Sequence, residues 1–260
     1  MKNSKIINKK KAKPFFSIIT VVKNDEINIK KIIKSIINQT FKDFEYIIID
    51  GKSSDATLNK ILYYKKKINT IISEKDRGIY FAMNKGAKIS NGKVILFVNS
   101  GDLLTKNALK IVKKKFNDHK DIGFVFGAVK RYYTTGVIYK HGINFKKLSY
   151  NFDFATSHST GFFIKKKIFK KIGYFDTNFK ISADYNLYFK LIVKRKIKGV
   201  ATKKNELIGI MKSGGYSSKI KFFDHLKEEI KIRYHNGQNS FFIALIFVNA
   251  ILKNLFKKYT

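Results

Sequence analysis

Four aspartates carry most of the chemical potential of this chain. Asp50, Asp76 and Asp102 recur at intervals of 26 residues, at or just beyond the ends of short apolar runs, and Asp184 opens a helical pattern in Ser182-Ala183-Asp184-Tyr185. In open α/β sheets, ligands bind in the crevice outside the carboxyl ends of the strands, and such an interval is about one strand-helix unit. A single Asp at that junction is equally well a helix N-cap. Three in register, in a chain poor in acids, point to a functional rim. Carboxylates of this kind accept hydrogen bonds from ribose hydroxyls and ligate divalent cations, and a positioned one acts as a general base. Taken alone, Asp184 also fits a first-turn acid stabilised by the helix dipole.

Competing chemistries lack their residues. The first loop reads Lys23-Asn24-Asp25-Glu26, with no G-x-G-x-x-G to cradle a pyrophosphate on a helix N-terminus, which disfavours NAD and FAD. No G-x-x-x-x-G-K-[ST] occurs, and Ser159-Thr160-Gly161 does not fit the G-x-S-x-G nucleophile elbow. With Cys at 0, disulfides, thiolate metal sites and Cys nucleophiles are excluded. A carboxylate rim without a glycine cradle suits a ligand that offers ribose hydroxyls and a diphosphate met by a divalent cation. Nucleotide-sugars have both features.

The elements that must position these acids follow from hydrophobic period. Apolar, β-branched runs over residues 16–22, 44–49, 70–73 and 94–98 read as buried strands, each followed by a helical pattern. Ser53-Ser54-Asp55 offers N-cap residues for the second helix. Four such units in succession imply parallel pairing in a sheet covered on both faces. From residue 122 onward the pattern shifts to short extended segments or hairpins, and helical stretches return over 167–172, 184–193 and 219–234. The expected architecture is one α/β unit over 1–237, with a half about 15–120 and a second half about 121–237 that completes the site, and an apolar-basic helical appendage over 238–260.

Composition supplies enough apolar material for a sizeable core, at 44% hydrophobic and 15% aromatic residues among 260. The balance of 54 Lys+Arg against 18 Asp+Glu gives +36. Such a charge fits a non-catalytic nucleic-acid or anionic-surface binder, and for that rival the sequence offers the charge alone. The lysines are spread through every segment without glycine-aromatic interleaving, so no nucleic-acid partner is expected. The first thirteen residues hold no apolar stretch resembling a signal-peptide core, which leads to the expectation of a cytoplasmic protein. Residues 241–252 are apolar apart from Asn249 and precede Lys253, Lys257 and Lys258, too short a run for the roughly 20 residues of a spanning helix. They fit a core helix or an interfacial one. The cationic surroundings favour an anionic membrane surface, on the inner face of the cell membrane.

Five ordered segments carry a resemblance: SIITVVKND (17–25), NQTFKDFEYIIIDGKSSDAT (38–57), SEKDRGIYFAMNKG (73–86), ILFVNSGD (95–102) and SADYNLYFKL (182–191). Together they resemble glycosyltransferase family 2, inverting enzymes of the GT-A fold that build bacterial surface polysaccharides. The resemblance implies a nucleotide-sugar donor, a glycan or lipid-linked acceptor, and Mg²⁺ or Mn²⁺ on the donor diphosphate. It assigns Val21, Lys23, Asn24, Asp50, Asp76, Gly78, Asn84 and Ser100 to the donor, Asp102 to the metal and Asp184 to the general base. His158, Gly214 and Gly215 become acceptor-side or loop candidates. Two positions depart from the family pattern: Lys23, where an aromatic residue is common, and Gly51, where a second acid often follows Asp50. They leave open a member that binds donor without transferring it.

Overall fold

Every residue of Phe16–Val22 is buried, as are all but the first of Phe44–Asp50, because these strands are covered on both faces. The computed structural model describes residues 4–7, 13–133, 136–150, 159–212 and 220–256. Its first unit is an edge strand β1 (Ser4–Ile7), followed by β2 (Phe16–Val22), α1 (Ile29–Ile37), β3 (Phe44–Asp50), α2 (Thr57–Tyr63), β4 (Thr70–Ser73), α3 (Ile79–Ile89), β5 (Val94–Phe97) and β6 (Leu103–Leu104). The second comprises α4 (Ala108–Asp118), β7 (Phe124–Phe126), β8 (Ala128–Tyr133), β9 (Gly136–Lys140), β10 (Phe162–Lys165), α5 (Lys166–Ile172), α6 (Ala183–Phe189), β11 (Gly199–Ala201), β12 (Leu207–Lys212), α7 (Phe222–His235) and α8 (Ser240–Phe256).

The main sheet has the order β1-β4-β3-β2-β5-β10-β7-β11, and a smaller sheet has the order β6-β12-β8-β9. In the main sheet only β1 and β10 run against the rest, so it is mostly parallel. Strand residues alternate between two cores: Ile19, Ile47, Ile49 and Phe97 pack with α3, α5, α6 and α7, while Ile18, Tyr46, Ile48 and Leu96 pack with α1, α2 and α4. The period-3.6 isoleucines of α1, Ile29, Ile32, Ile33 and Ile36, are all buried against that second face.

One expectation changes in the structure. The serines before α2 do not cap it, since its N-cap is Ala56 with no side-chain bond; Ser53 turns back to Asp50, and Asp55 accepts the Thr57 N–H at 3.0 Å. The appendage α8 packs on α7 through Ile243 and Ile246, yet leaves Phe241, Phe242, Leu245, Phe247, Val248, Leu252 and Leu255 exposed. No helix among the described residues is long and apolar enough to cross a membrane.

The site rests on how closely α3 approaches the sheet. A Cβ on Gly86 would stand 2.5 Å from Ile19 Cγ2, a branched side chain locked in the buried centre of β2. Gly86→Ala gains about 1 kcal/mol of helix propensity and loses more to overpacking, typically about 1–3 kcal/mol. The expected outcome in chemical denaturation is a net loss of stability, the reverse of what an exposed helical glycine would give.

Candidate active site

The carboxyl ends of β4, β3, β2 and β5 and the start of antiparallel β10 share one edge of the sheet, in that spatial order. Asp50 ends β3 with no solvent exposure and is saturated with hydrogen bonds. It accepts from the Ser53 N–H, from Ser53 Oγ at 2.5 Å, and from Ser73 Oγ at 2.6 Å. Ser73 is its register partner on β4. Asn24, at φ +51°, donates its N–H to Ser53 Oγ at 2.9 Å and accepts the Ser54 N–H at 2.9 Å, so the loops after β2 and β3 are laced together.

The two departures noted above prove to be packed against each other. A Cβ at Gly51 would lie 3.4 Å from both Cβ and Cδ of Lys23. A side chain at position 51 would thus start in van der Waals contact with the Lys23 stem.

Asp76 forms an ion pair with Lys85 at 2.5 Å, and Lys85 also reaches Glu74 at 2.6 Å. Burial works against the Lys85 charge, but its bonds to Asp76 and Glu74 hold its pKa above the usual lysine value. The second Asp76 oxygen, Oδ2, is buried without a hydrogen-bond partner. Gly78, at φ +143°, takes a conformation that side chains rarely adopt and turns this loop into α3. Asn84 faces elsewhere in its duties: its amide donates to the Phe175 carbonyl at 2.8 Å and accepts the Phe175 N–H at 3.0 Å, which clamps the segment ahead of α6. The Val21 side chain belongs to the core beneath the edge.

Asp102 follows β5 in the turn Asn99-Ser100-Gly101-Asp102, its N–H bonded to the Asn99 carbonyl. It is 4% exposed, and Thr160 Oγ1 donates to its Oδ2 at 2.5 Å. Burial pushes its pKa up to about 7, while the Thr160 bond and the Arg131 charge pull in the opposite direction. Asn99 donates to Ser159 Oγ at 2.7 Å, so both side chains of the turn grip the entry to β10. The Asn99 side-chain amide oxygen, Oδ1, is buried without a hydrogen-bond partner. Ser100 donates to Asp25, which also accepts from Asn28 Nδ2 at 2.7 Å. Among the described residues no group of three His, Cys, Asp or Glu could hold a metal. One carboxylate and an unpartnered amide oxygen in a single turn remain a hard-oxygen set that suits Mg²⁺ or Mn²⁺ when phosphate oxygens and water complete the shell.

Asp184 stands in the first turn of α6 and accepts the Tyr185 N–H at 2.9 Å. Tyr80 Oη lies 3.1 Å from Asp184 Oδ1 and 2.9 Å from the Ile181 carbonyl. Burial raises the Asp184 pKa, and the Tyr185 N–H and Tyr80 hydroxyl oppose it. Tyr80 reads from sequence as a core residue. Its ring is indeed buried, 5.2 Å from Phe175, while its hydroxyl serves the site. Glu228 of α7 accepts N–H bonds from Lys180, Ile181 and Ser182 at 2.8, 2.8 and 2.5 Å, fixing the entry to α6. One turn beyond Asp184, Tyr188 packs on Phe162 at 4.8 Å, and Phe162 lies two residues past Thr160. Thus a continuous set of contacts joins the Asp184 side of the edge to the Asp102 side. His158, Gly214 and Gly215 lie outside the described residues.

The residues that sequence reasoning missed here are Asp25, Ser73, Asn99, Thr160 and Glu228. Ser73 had a signal, since parallel register sets the end of β4 beside the end of β3. Thr160 and Glu228 had none, because they reach the site across 58 and 46 or more residues.

This fold is that of the GT-A glycosyltransferases. It superposes on the S. aureus TarS 1-349 complex with UDP-GlcNAc with a TM-score of 0.71 at 18% identity, over 91% of this chain and 71% of that one. The mannosyltransferase PcManGT from Pyrobaculum calidifontis, in complex with GDP-Man and Mn²⁺, gives 0.65 at 14% identity, over 92% and 70%. The model of Glycosyl transferase family 2 matches residues 17–180, and the chain belongs to that family. Relatives include the minor teichoic acid biosynthesis protein GgaB of Bacillus subtilis, 30% identical over 209 residues, which are 75% of this chain and 23% of that protein. An uncharacterized glycosyltransferase of Methanocaldococcus jannaschii, MJ1057, is 30% identical over 69% of this chain and 65% of its own length. The chain therefore spans about a quarter of the first and just under two thirds of the second.

The raised Asp102 pKa has a signed consequence for stability. Between the ordinary value of 3.8 and about 7, the folded chain keeps a proton that the unfolded chain has released, so stability falls as pH rises through that window. Asp102→Asn removes this loss. In cation-free buffer its stability advantage over the wild type grows across the same window and then levels off, at no more than about 4 kcal/mol on about 1.4 kcal/mol per pKa unit. Thermal melts from about pH 4 to about pH 8 check it.

Proposed function

We propose that this chain is an inverting glycosyltransferase that moves a sugar from a nucleotide-sugar donor to a glycan or lipid-linked acceptor hydroxyl. The observation that carries the reading is the shared sheet edge: Asp50, Asp76 and the Asp102 turn lie at neighbouring strand ends, with Asp184 joined to them through contacts of Tyr80 and Tyr188. Family membership and the donor complexes of TarS and PcManGT support it.

In this reading the donor nucleoside lies over the rim that Asp50 braces and beside Asp76, whose Oδ2 atom, buried and unpartnered, accepts a donor hydroxyl or N–H. Asn24, Lys23 and Ser100 border the diphosphate. Asp102 and Asn99 would hold Mg²⁺ or Mn²⁺, which when bound offsets the charge developing on the leaving diphosphate. The acceptor oxygen attacks the anomeric carbon, the bond from that carbon to the diphosphate oxygen breaks, and the acceptor proton passes to Asp184. Burial raises the basicity of Asp184, while Tyr80 and the Tyr185 N–H orient it.

Asp184→Asn should lower turnover by about 10²–10⁴-fold while nucleoside-diphosphate affinity stays unchanged. Normal turnover would remove Asp184 from the mechanism. Tyr80→Phe deletes a hydrogen bond that favours the Asp184 carboxylate, so its pKa rises further and the acidic limb of the kcat/KM profile moves to higher pH. An unmoved or acid-shifted limb would separate Tyr80 from the base.

We also propose that α8 rests on an anionic membrane surface. Phe241, Leu245, Val248, Leu252 and Leu255 recur at helical spacing on one exposed face, and Lys253 lies in the last turn. Replacing Phe241, Leu245 and Leu252 by Ser should release the protein from anionic vesicles with nucleotide binding intact. Retained vesicle binding would make α8 a structural element only.

A further inference from the structure

The hairpin β8–β9 carries an exposed array that neither core nor donor site uses. Lys130 and Tyr132 of β8 share a face with Val137 and Tyr139 of β9, through the pairs Lys130↔Tyr139 and Tyr132↔Val137. Tyr132, Val137, Ile138 and Tyr139 are 39–48% exposed, and the last three lie on β9, the edge strand of the small sheet. Long apolar edge strands are normally blunted or covered. Here the cations sit over the rings: Lys130 Nζ is 4.9 Å from the Tyr132 ring centre and 5.7 Å from that of Tyr139, and Lys204 Nζ is 5.9 Å from Tyr139. On the other face, Arg131 lies 5.2 Å from the Tyr133 ring. Neither strand contains a carboxylate.

The array is continuous with the reaction site. β6, which begins at the residue after Asp102, pairs with β12, and β12 pairs with β8. Two strand spacings of about 4.8 Å place β8 roughly 10 Å from β6, the reach of one or two sugar or polyol units. The Arg131 charge acts on Asp102, opposing the effect of burial.

Resting on the glycosyltransferase reading, we propose that β8–β9 is an acceptor track for an anionic, hydroxyl-rich chain whose repeating phosphodiesters lie against Lys130 and Lys204 while its sugar or polyol units stack on Tyr132 and Tyr139. Aromatic faces pack against the apolar faces of such units, and ammonium groups meet phosphate oxygens. An uncharged glycan would leave the cations unanswered. The track selects the acceptor by class and holds its terminal hydroxyl toward Asp184.

The test uses the full chain with a poly(glycerol phosphate) oligomer and a neutral dextran of equal length, at physiological salt. A chain of +36 binds any polyanion to some degree, so the comparison is between positions. Lys130→Gln/Lys204→Gln and Tyr132→Ala/Tyr139→Ala should each weaken oligomer binding by about tenfold, on stacking and phosphate contacts of this size. Lys65→Gln/Lys66→Gln, which removes the same charge from the exposed turn after α2, should change it less than about twofold. Tyr132→Phe/Tyr139→Phe keeps both rings and should retain binding. Dextran should bind far more weakly than the oligomer. Equal losses in the hairpin and turn variants, or dextran binding as well as the oligomer, would overturn the track. Nucleoside-diphosphate binding on the same proteins separates the two readings: hairpin variants should keep it, and its absence in the wild type would sink the donor site while leaving the surface result standing.

Discussion

Burying carboxylates at one edge of the sheet is the constraint on which this structure turns. Asp102 is nearly solvent-free, and burial raises its pKa to about 7 against the opposing pull of the Thr160 bond and the Arg131 charge. Asp184 is similarly raised by burial, against one backbone N–H and one tyrosine hydroxyl. Water would solvate either group better than the protein does. Carboxylates whose pKa burial raises in this way cluster at functional sites. Asp50 makes the contrast: three bonds from Ser53 and one from Ser73 satisfy it, and it acts as a knot that holds the rim in shape.

The supporting shell explains how this set of loops keeps its geometry. The Asn24, Ser53 and Ser54 bonds lace two loops; Glu228 collects three N–H groups ahead of Asp184; Asn84 clamps Phe175. Behind α6, Arg233 is fully buried, donates twice to Glu229 Oε1, and reaches the Ser149 carbonyl at 2.7 Å. Positioning of this kind, from rigid elements and satisfied polar groups, is what a reactive constellation needs.

The parallel half of the fold was legible because its signal is local. Runs such as FSIITVV and IIID are too apolar for a half-exposed sheet, and the intervening isoleucines keep a 3.6 period, so units over 16–22, 44–49, 70–73 and 94–98 emerged with bounds within a residue of those observed. The acids at their ends were legible for the same reason. The antiparallel insertion of β10 between β5 and β7, the pairing of two-residue β6 with β12, and strand β1 were not. These depend on partners from 36 to 107 residues away, and nothing in Leu103-Leu104 or Phe162-Phe163 states which edge they join. Tyr80 illustrates the limit within the site, as one side chain is both core filler and hydrogen-bond donor, and hydrophobic period reports only the first role.

The rival view, a basic protein that binds anions without chemistry, accounts for the charge and leaves the buried acids unexplained. The measurement that separates the accounts is calorimetric titration of the wild-type chain with a panel of nucleoside diphosphates, with and without Mg²⁺ or Mn²⁺. One base should bind selectively, its affinity should rise at least about tenfold with cation, and that gain should vanish in Asp102→Ala. Equal binding of every nucleotide, insensitive to cation and to Asp102, would contradict the donor site on which all the rest depends.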